Sequence, residues 1–327
     1  MKKLSIVSLI GLFIFTGILF GFLSQVSAQD FPKKNIRWVV PYKPGGGFDT
    51  YSRAISRTMK KYLPKGVNVI VMNKPGAGGQ VATSLIYKAK PDGYTVGILP
   101  MPGLYVPQMF YKTKYDVKKI TWLGTVLNEP MVFALASSSK FKTLEEVRRA
   151  ESFRICGTGF TGPEIVAPIT METLGIKAKF ITGHSGSKEA ILAAMRGDGD
   201  AVVFSYGTTR KHVLDKSFKG LLLIGAQKRS PEMPDVPTAV ELGYPKLGLL
   251  GTYRVIGAPP GLPKDRDNYL GDVLLKSLND PEFQEWTKKA KRPVTPMDGS
   301  TTKKTLLEVI SLYDKDYRGL LEQYFKK

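Results

Sequence analysis

Two glycine-rich junctions, Pro41-Tyr42-Lys43-Pro44-Gly45-Gly46-Gly47-Phe48-Asp49 and Asn73-Lys74-Pro75-Gly76-Ala77-Gly78-Gly79, each lie between a short apolar, β-branched run and an amphipathic stretch. Each reads as a strand passing through glycines into a helix, so the pair constrains the chain to βαβ units on one sheet. Both helix amino termini then fall at the carboxyl edge of the strands, where open α/β sheets bind ligands. Three adjacent glycines leave backbone N–H groups uncovered, and the helix terminus adds partial positive charge, which suits an anion. A tight turn without a ligand is the competing reading of either junction taken alone. Asp49 is expected to cap the first helix. Gly46 is the position where a β-carbon would crowd the anion or strain a turn with positive φ. Neither G-x-G-x-x-G nor G-x-x-x-x-G-K-[ST] fits these residues, so a nucleotide site is disfavoured.

The same alternation runs through the rest of the chain. Strands are expected at Ile36 to Tyr42, Val67 to Met72, Tyr94 to Leu99, Met131 to Ala136, Phe153 to Gly157, Ala178 to Thr182, Ala201 to Phe204, Leu221 to Ala226 and Tyr253 to Gly257. Helices are expected from Phe48 to Leu63, up to Ala89, at Thr143 to Ala150 with Thr143 and Glu146 as a capping box, through Ile169 and Leu174, and at Ser187 to Met195. A Pro-rich stretch from Pro231 to Pro245 interrupts this order. Pro263 to Lys327 reads as mainly helical, divided at Pro281, Pro293 and Pro296. The expected architecture is α/β around mostly parallel sheets.

At 327 residues the chain is longer than one ordinary core serves. Lys and Arg outnumber Asp and Glu by 48 to 28, a formal charge of +20 that favours anionic partners. One cysteine, Cys156, forms no internal disulfide, and two histidines cannot complete a Cys/His zinc set. No metal or cofactor is expected. Met1-Lys2-Lys3, the apolar run from Ile6 to Leu23 and the small residues of Val26-Ser27-Ala28 have the form of an export signal cleaved near Ala28. An uncleaved anchor is the competing reading. Export places the protein outside the cytoplasm, in the periplasm, and argues against a nucleic-acid partner.

Phe31-Pro32 to Ile36, Val40-Pro41 through Asp49 with Arg53, the Asn73 to Gly79 junction and Pro91-Asp92-Gly93-Tyr94-Thr95 resemble, in order, the signatures of the Bug family, the extracytoplasmic solute receptors of tripartite tricarboxylate transporters. Lys228-Arg229-Ser230, Pro234 to Thr238, Glu241-Leu242-Gly243 and Ala258-Pro259-Pro260-Gly261 continue the resemblance across the chain. It implies a periplasmic-binding-protein fold of type II, with two α/β lobes and a ligand cleft between them. Residues 29–127 and 252–327 would form lobe 1, and 128–251 lobe 2. The implied function is capture of a small carboxylate, held by loop backbone groups and bridging waters, by a monomer that delivers it to integral-membrane transporter subunits without catalysis. The ligand residues would be Tyr42, Gly45, Gly46, Gly47 and Asp49 on the first junction, and Gly76, Ala77 and Gly78 on the second. In lobe 2 they would be Thr158, Thr161, His184, Ser185 and Ser205. Two segments depart from the family pattern. Gly157-Thr158-Gly159-Phe160-Thr161-Gly162-Pro163-Glu164-Ile165 stands where a Gly-Ser pair followed by His is usual, and Thr182-Gly183-His184-Ser185-Gly186 replaces Val-Pro-Tyr-x-Gly, a change that alters which solute fits.

Two other readings compete. A periplasmic receptor reporting to a sensor needs the same closing cleft. A serine hydrolase would use Gly183-His184-Ser185-Gly186-Ser187, which nearly spells G-x-S-x-G but fails at its last position and lacks a suitably placed later histidine. Lys60-Lys61 and Lys288-Lys289 with Lys291-Arg292 read as solvated charge runs. Asp198 and Asp200 around Gly199 read as turn chemistry.

Overall fold

In the computed structural model, which describes residues 31–159, 165–184 and 186–325, the chain builds one sheet, crosses to a second and returns. The outward half comprises β1 (Ile36–Val40), α1 (Gly47–Met59), β2 (Val69–Asn73), α2 (Gln80–Tyr87), β3 (Thr95–Met101), α3 (Tyr105–Phe110) and β4 (Thr121–Glu129). The second sheet is built from β5 (Met131–Ala136), α4 (Leu144–Arg148), β6 (Phe153–Cys156), α5 (Val166–Leu174), β7 (Ala178–Ile181), α6 (Ser187–Met195), β8 (Ala201–Ser205), α7 (Tyr206–Leu214) and β9 (Phe218–Ile224). The return brings β10 (Thr252–Ala258), α8 (Lys264–Asn279), α9 (Pro281–Lys289), β11 (Met297–Asp298) and α10 (Gly299–Leu312). A π turn, Tyr313–Tyr317, then leads into α11 (Arg318–Phe325).

The strand orders are β11-β4-β10-β3-β1-β2 and β7-β6-β8-β5-β9. β1 pairs in parallel with β2 and β3, and β6 with β7 and β8, as the βαβ pattern requires. The long reversed strands are β10, antiparallel to β3 and β4, and β5, antiparallel to β8 and β9. These are the two strands by which the chain has just crossed from one sheet to the other. Only Pro130 separates Glu129, at the carboxyl end of β4, from Met131, which pairs with Ser205 at the carboxyl end of β8. The carboxyl edges of the two sheets therefore meet at the crossing and face each other.

Helix α1 explains its own seat. Phe48, Tyr51, Ala54, Ile55 and Met59 recur at helical spacing and are buried with Ile36, Trp38 and Val40 of β1. The Trp38 indole N–H donates to Ser52 Oγ at 2.9 Å, so its polar atom is satisfied in the core. On the other face of the sheet, a second cluster runs without a break from Val39 and Leu99 to Phe133 and Phe153 of the second sheet. Tyr313, Leu321 and Phe325 belong to it. The C-terminal helices thus span both sheets, and Tyr324 of α11 sets its ring 6.2 Å from that of Phe180 in β7.

The expected punctuation holds at several points. Thr143 accepts from the Glu146 N–H at 3.1 Å, while the Glu146 carboxylate reaches back to the Lys142 N–H, one residue earlier than the textual capping box places it. Asp280 caps α9 with Pro281 at its first position. The expected turn roles of Asp198 and Asp200 also hold, with Asp198 paired to Arg196 and Asp200 accepting from the Arg154 N–H. Four elements outside the sequence expectation are β4, α3, α7 and the two-residue β11. The export segment lies outside the described residues, among which no helix is long and apolar enough to cross a membrane.

Helix α9 ends with Lys291 at φ +52°, with Arg292 N–H on Thr287 O at 2.8 Å and Lys291 N–H on Lys288 O at 3.1 Å. This is a Schellman closure with a lysine in the position glycine prefers. Lys291→Gly should relieve the left-handed strain and raise unfolding stability by about 0.5–1 kcal/mol, net of the greater freedom of glycine in the unfolded chain. Urea denaturation at unchanged m-value checks it, and a loss of stability would contradict the assignment.

Candidate functional site

The first junction is organised by Asp49, and not as a cap. Helix α1 begins at Gly47 with Gly46 as N-cap, which puts Asp49 inside the first turn. Its side chain turns back into the loop, where one oxygen accepts the Gly45 N–H at 2.9 Å and the Arg53 Nε–H at 3.0 Å. The other accepts Asn73 Nδ2–H at 2.9 Å and pairs with the Arg53 guanidinium at 2.9 Å. Asn73, the last residue of β2, also donates to Tyr42 O at 2.9 Å. The expected capping role is thus corrected: the N-cap falls three residues earlier, at Gly46, and leaves the carboxylate free to bind the loop instead.

Gly45 has φ +86°, a conformation that requires glycine. Gly46 differs from the expectation: its φ is −74°, and a β-carbon there would meet only Lys43 O at 3.8 Å. No positive-φ demand exists at that position. Gly47 is small for a different reason. A β-carbon on it would lie 3.1 Å from one guanidinium nitrogen of Arg254 and 3.6 Å from one of Arg292.

The second junction packs beside the first. Gly76, Ala77 and Gly78 are exposed and all have positive φ. Tyr42 reaches towards Gly78 O at 3.5 Å and sets its ring edge-on against Phe48 at 4.9 Å. The structure therefore brings Tyr42, Gly45, Gly46, Gly47, Asp49, Gly76, Ala77 and Gly78 to one edge of the first sheet.

On the facing edge, Thr158 follows β6, His184 follows β7 and Ser205 ends β8. The Gly157 N–H donates to Ile181 O at 2.9 Å, and His184 Nδ1 lies 2.9 Å from Gly157 O, so Nδ1 carries a proton and ties the two loops together. Ser205 Oγ is 3.1 Å from Thr208 Oγ1 at the start of α7. Thr161 and Ser185 lie outside the described residues.

Three charged residues at this level were not singled out by their sequence. Glu129 and Arg254 form an ion pair at 2.5 Å with both side chains 11% exposed, deep enough that each needs the other. Glu129 also accepts the Gly207 N–H of α7 at 3.1 Å, so one carboxylate touches both sheets' elements. Arg254 lies over the rings of Phe48 and Tyr51 at 4.8 and 5.1 Å. Arg292 leaves its charge run and lies 5.7 Å from the Tyr51 ring centre, a position the reading of that run as a solvated face did not foresee. The available signal was Arg254 itself, a charge inside the apolar run Tyr253 to Gly257. Burial pushes the Tyr51 hydroxyl up to about 12, against the opposing pull of Arg254. Among the described residues no group of three or more His, Cys, Asp or Glu is placed to hold a metal.

The Arg53 hydrogen bond, helped by the Gly45 N–H and Asn73, draws the Asp49 carboxyl from 3.8 down to about 2 against its burial. The sign follows: stability from Asp49 is full above the unfolded value near 3.8 and is lost as pH falls through about 2. With Arg53 half exposed, the contribution is on the order of 1–2 kcal/mol. Asp49→Asn should remove most of it at pH 7 and flatten the acid limb of stability between pH 4 and pH 2, read from urea midpoints across pH. An unchanged acid limb would show that Asp49 carries no such load.

A family model described as tripartite tricarboxylate transporter family receptor matches residues 51–311. The protein BugT of Bordetella pertussis is 27% identical over 293 residues, covering 86% of this chain and 85% of BugT. Among solved structures, a TctC solute-binding protein from Polaromonas has a TM-score of 0.75 at 22% identity, covering 90% of this chain and 99% of that one. MatC from Rhodopseudomonas palustris, solved with bound malate, has a TM-score of 0.67 at 22% identity over 87% of this chain and 99% of its own.

Proposed function

The chain belongs to the tripartite tricarboxylate transporter receptor family, and from that premise we propose that it captures a small carboxylate outside the cytoplasm and hands it, unchanged, to the transporter's membrane subunits. The observation that carries the ligand class is the first junction: its Gly45 amide already holds a carboxylate, that of Asp49, at the amino terminus of a 13-residue helix. The neighbouring amides of Gly46 and Gly47 belong to the same positive end and are the groups offered to a solute. Malate bound to MatC fits the same chemistry.

In this reading, residues 29–127 with 252–327 and residues 128–251 are the two bodies that close on the solute. The crossings are their hinge, pinned where Asn128 Nδ2–H donates to Gly225 O at 2.9 Å. Thr158, His184 and Ser205 meet the solute from the second body, and Thr161 and Ser185 are the further residues assigned to it. The export segment is removed near Ala28, and the receptor works as a monomer. In this reading the solute leaves as it entered.

A thermal-shift panel of mono-, di-, tri- and aromatic carboxylates, amino acids, sugars and polyamines tests the class. A specific acid at 100 times its Kd should add roughly 2.7 kcal/mol and raise the Tm by several degrees. A shift with sugars or polyamines and none with any acid would overturn the reading. Gly46→Ala is the cleaner probe of the site, because its backbone and surroundings accept a methyl group. Its Tm without solute should match the parent, while affinity for the acid found in the panel should fall about tenfold through crowding of the loop amides. Equal affinity in the two proteins would move the site elsewhere. Mass spectrometry of the acid recovered after prolonged incubation should return it unaltered; a converted product would reinstate catalysis.

A further inference from the structure

Two guanidinium groups converge on the positive end of α1. Arg254 comes from β10 and Arg292 from the turn after α9, with nitrogens 3.1 and 3.6 Å from the β-carbon position of Gly47. Cations gathered at a helix amino terminus repel both it and each other. The charges around them are unequally matched. Asp49 is paired with Arg53, and Glu129 with Arg254. Arg292, half-buried, has no ion-pair partner among the described residues. Arg254, only 9% exposed, also keeps its Nε buried without a hydrogen-bond partner. One full positive charge and the helix terminus are thus left for something the described residues do not supply.

Arg292 is not adventitiously placed. The Schellman closure fixes its backbone, its ring contact with Tyr51 directs the side chain, and the Tyr51 hydroxyl donates to Pro293 O at 2.8 Å, tying the turn to α1. Thr295 N–H donates to Val126 O at 3.0 Å and holds the following residues on β4. Long cationic side chains in solvated runs have no such fixings.

We propose that Arg292, steadied by Arg254 behind it, is a specificity-determining residue that binds a second negative group of the solute. The loop amides take one carboxylate, and Arg292 takes another in a charge-assisted hydrogen bond. The solute class is then an acid carrying at least two carboxylates, and single-charge acids of equal length bind less well. A β-carbon at Gly47 would press on the Arg254 guanidinium, 3.1 Å from its position, and touch that of Arg292 at 3.6 Å, so a side chain there crowds the pair. This inference rests on the carboxylate reading of the α1 site.

Matched acids separate the two ideas. Calorimetry on the protein compares succinate with butyrate and adipate with hexanoate, in the parent, Arg292→Met, Arg292→Lys and Gly47→Ala. The parent should prefer each diacid about tenfold or more, a preference that weakens as salt rises. Arg292→Met keeps the aliphatic stem on Tyr51 and should bring the ratio close to one with a flatter salt dependence; Arg292→Lys should restore part of both. Gly47→Ala should lower the ratio without changing any charge. Melting curves of the unliganded variants show whether folding is intact, and the diacid-to-monoacid ratio is insensitive to a uniform loss of active protein. A ratio unchanged in Arg292→Met, or a parent that binds both members of each pair equally, overturns the role of Arg292 and leaves the carboxylate receptor standing. A parent that binds none of the four acids, nor any other acid in the wider panel, overturns both.

Discussion

Asp49 is a charge withdrawn from water, and the groups that compensate it come from three separate stretches: the Gly45 amide of the loop, Arg53 one turn along α1, and Asn73 at the end of β2. A buried carboxylate without such partners would be protonated or would unfold its surroundings. Satisfying it therefore fixes the path of the first junction, the register of the helix start and the distance to the second junction together. Asn73 extends the constraint by donating to Tyr42 O, and Lys74 N–H continues the ladder onto Val40 O at 2.8 Å. The amides that remain at the helix terminus are presented on a frame already held in place, which is what a binding loop needs if it is not to lose affinity through its own ordering.

The second level of organisation is the meeting of the two carboxyl edges. Glu129 carries it in one side chain, held on one side by Arg254 of β10 and on the other by the Gly207 N–H of α7. Replacing such a pair by apolar groups is often neutral for stability, whereas removing one partner is not. Its presence beside the glycine junction is therefore better explained by orientation of the two sheets than by stability alone.

Much of this was legible beforehand, for a definite reason. Met131–Ala136 and Ser187–Met195 match their expected bounds because one is a continuous apolar run and the other has buried alanines and Ile191 on a single face. The glycine junctions were legible because glycine and proline have few alternative uses in succession. β4 was not, since Gly124, Asn128 and Glu129 break its apolar character; they answer to Leu274, Gly225 and Arg254, all distant in sequence. α7 was not, since only Thr209 among its residues is buried and it shows no apolar stripe. Within the site, Asp49 was recognised as important but misassigned as the cap, because a shift of three residues in the N-cap changes which group a side chain can reach. Arg254 and Arg292 come from β10 and the end of α9 onto α1, a convergence that no local pattern encodes.

The C-terminal helices have a consequence for how the sheets can move. Two crossings, at Pro130 and between β9 and β10, would leave the second sheet free to swing and twist about the line joining them. The passage of Tyr313–Phe325 across both sheets adds a third joint off that line, with the Tyr324 ring edge-on to Phe180 and Lys246 paired to Asp316. Three non-collinear joints suppress the twisting modes and leave a narrower family of open shapes. A solute entering such a molecule has fewer configurations to gather in, so less of its binding free energy is consumed in restricting the protein.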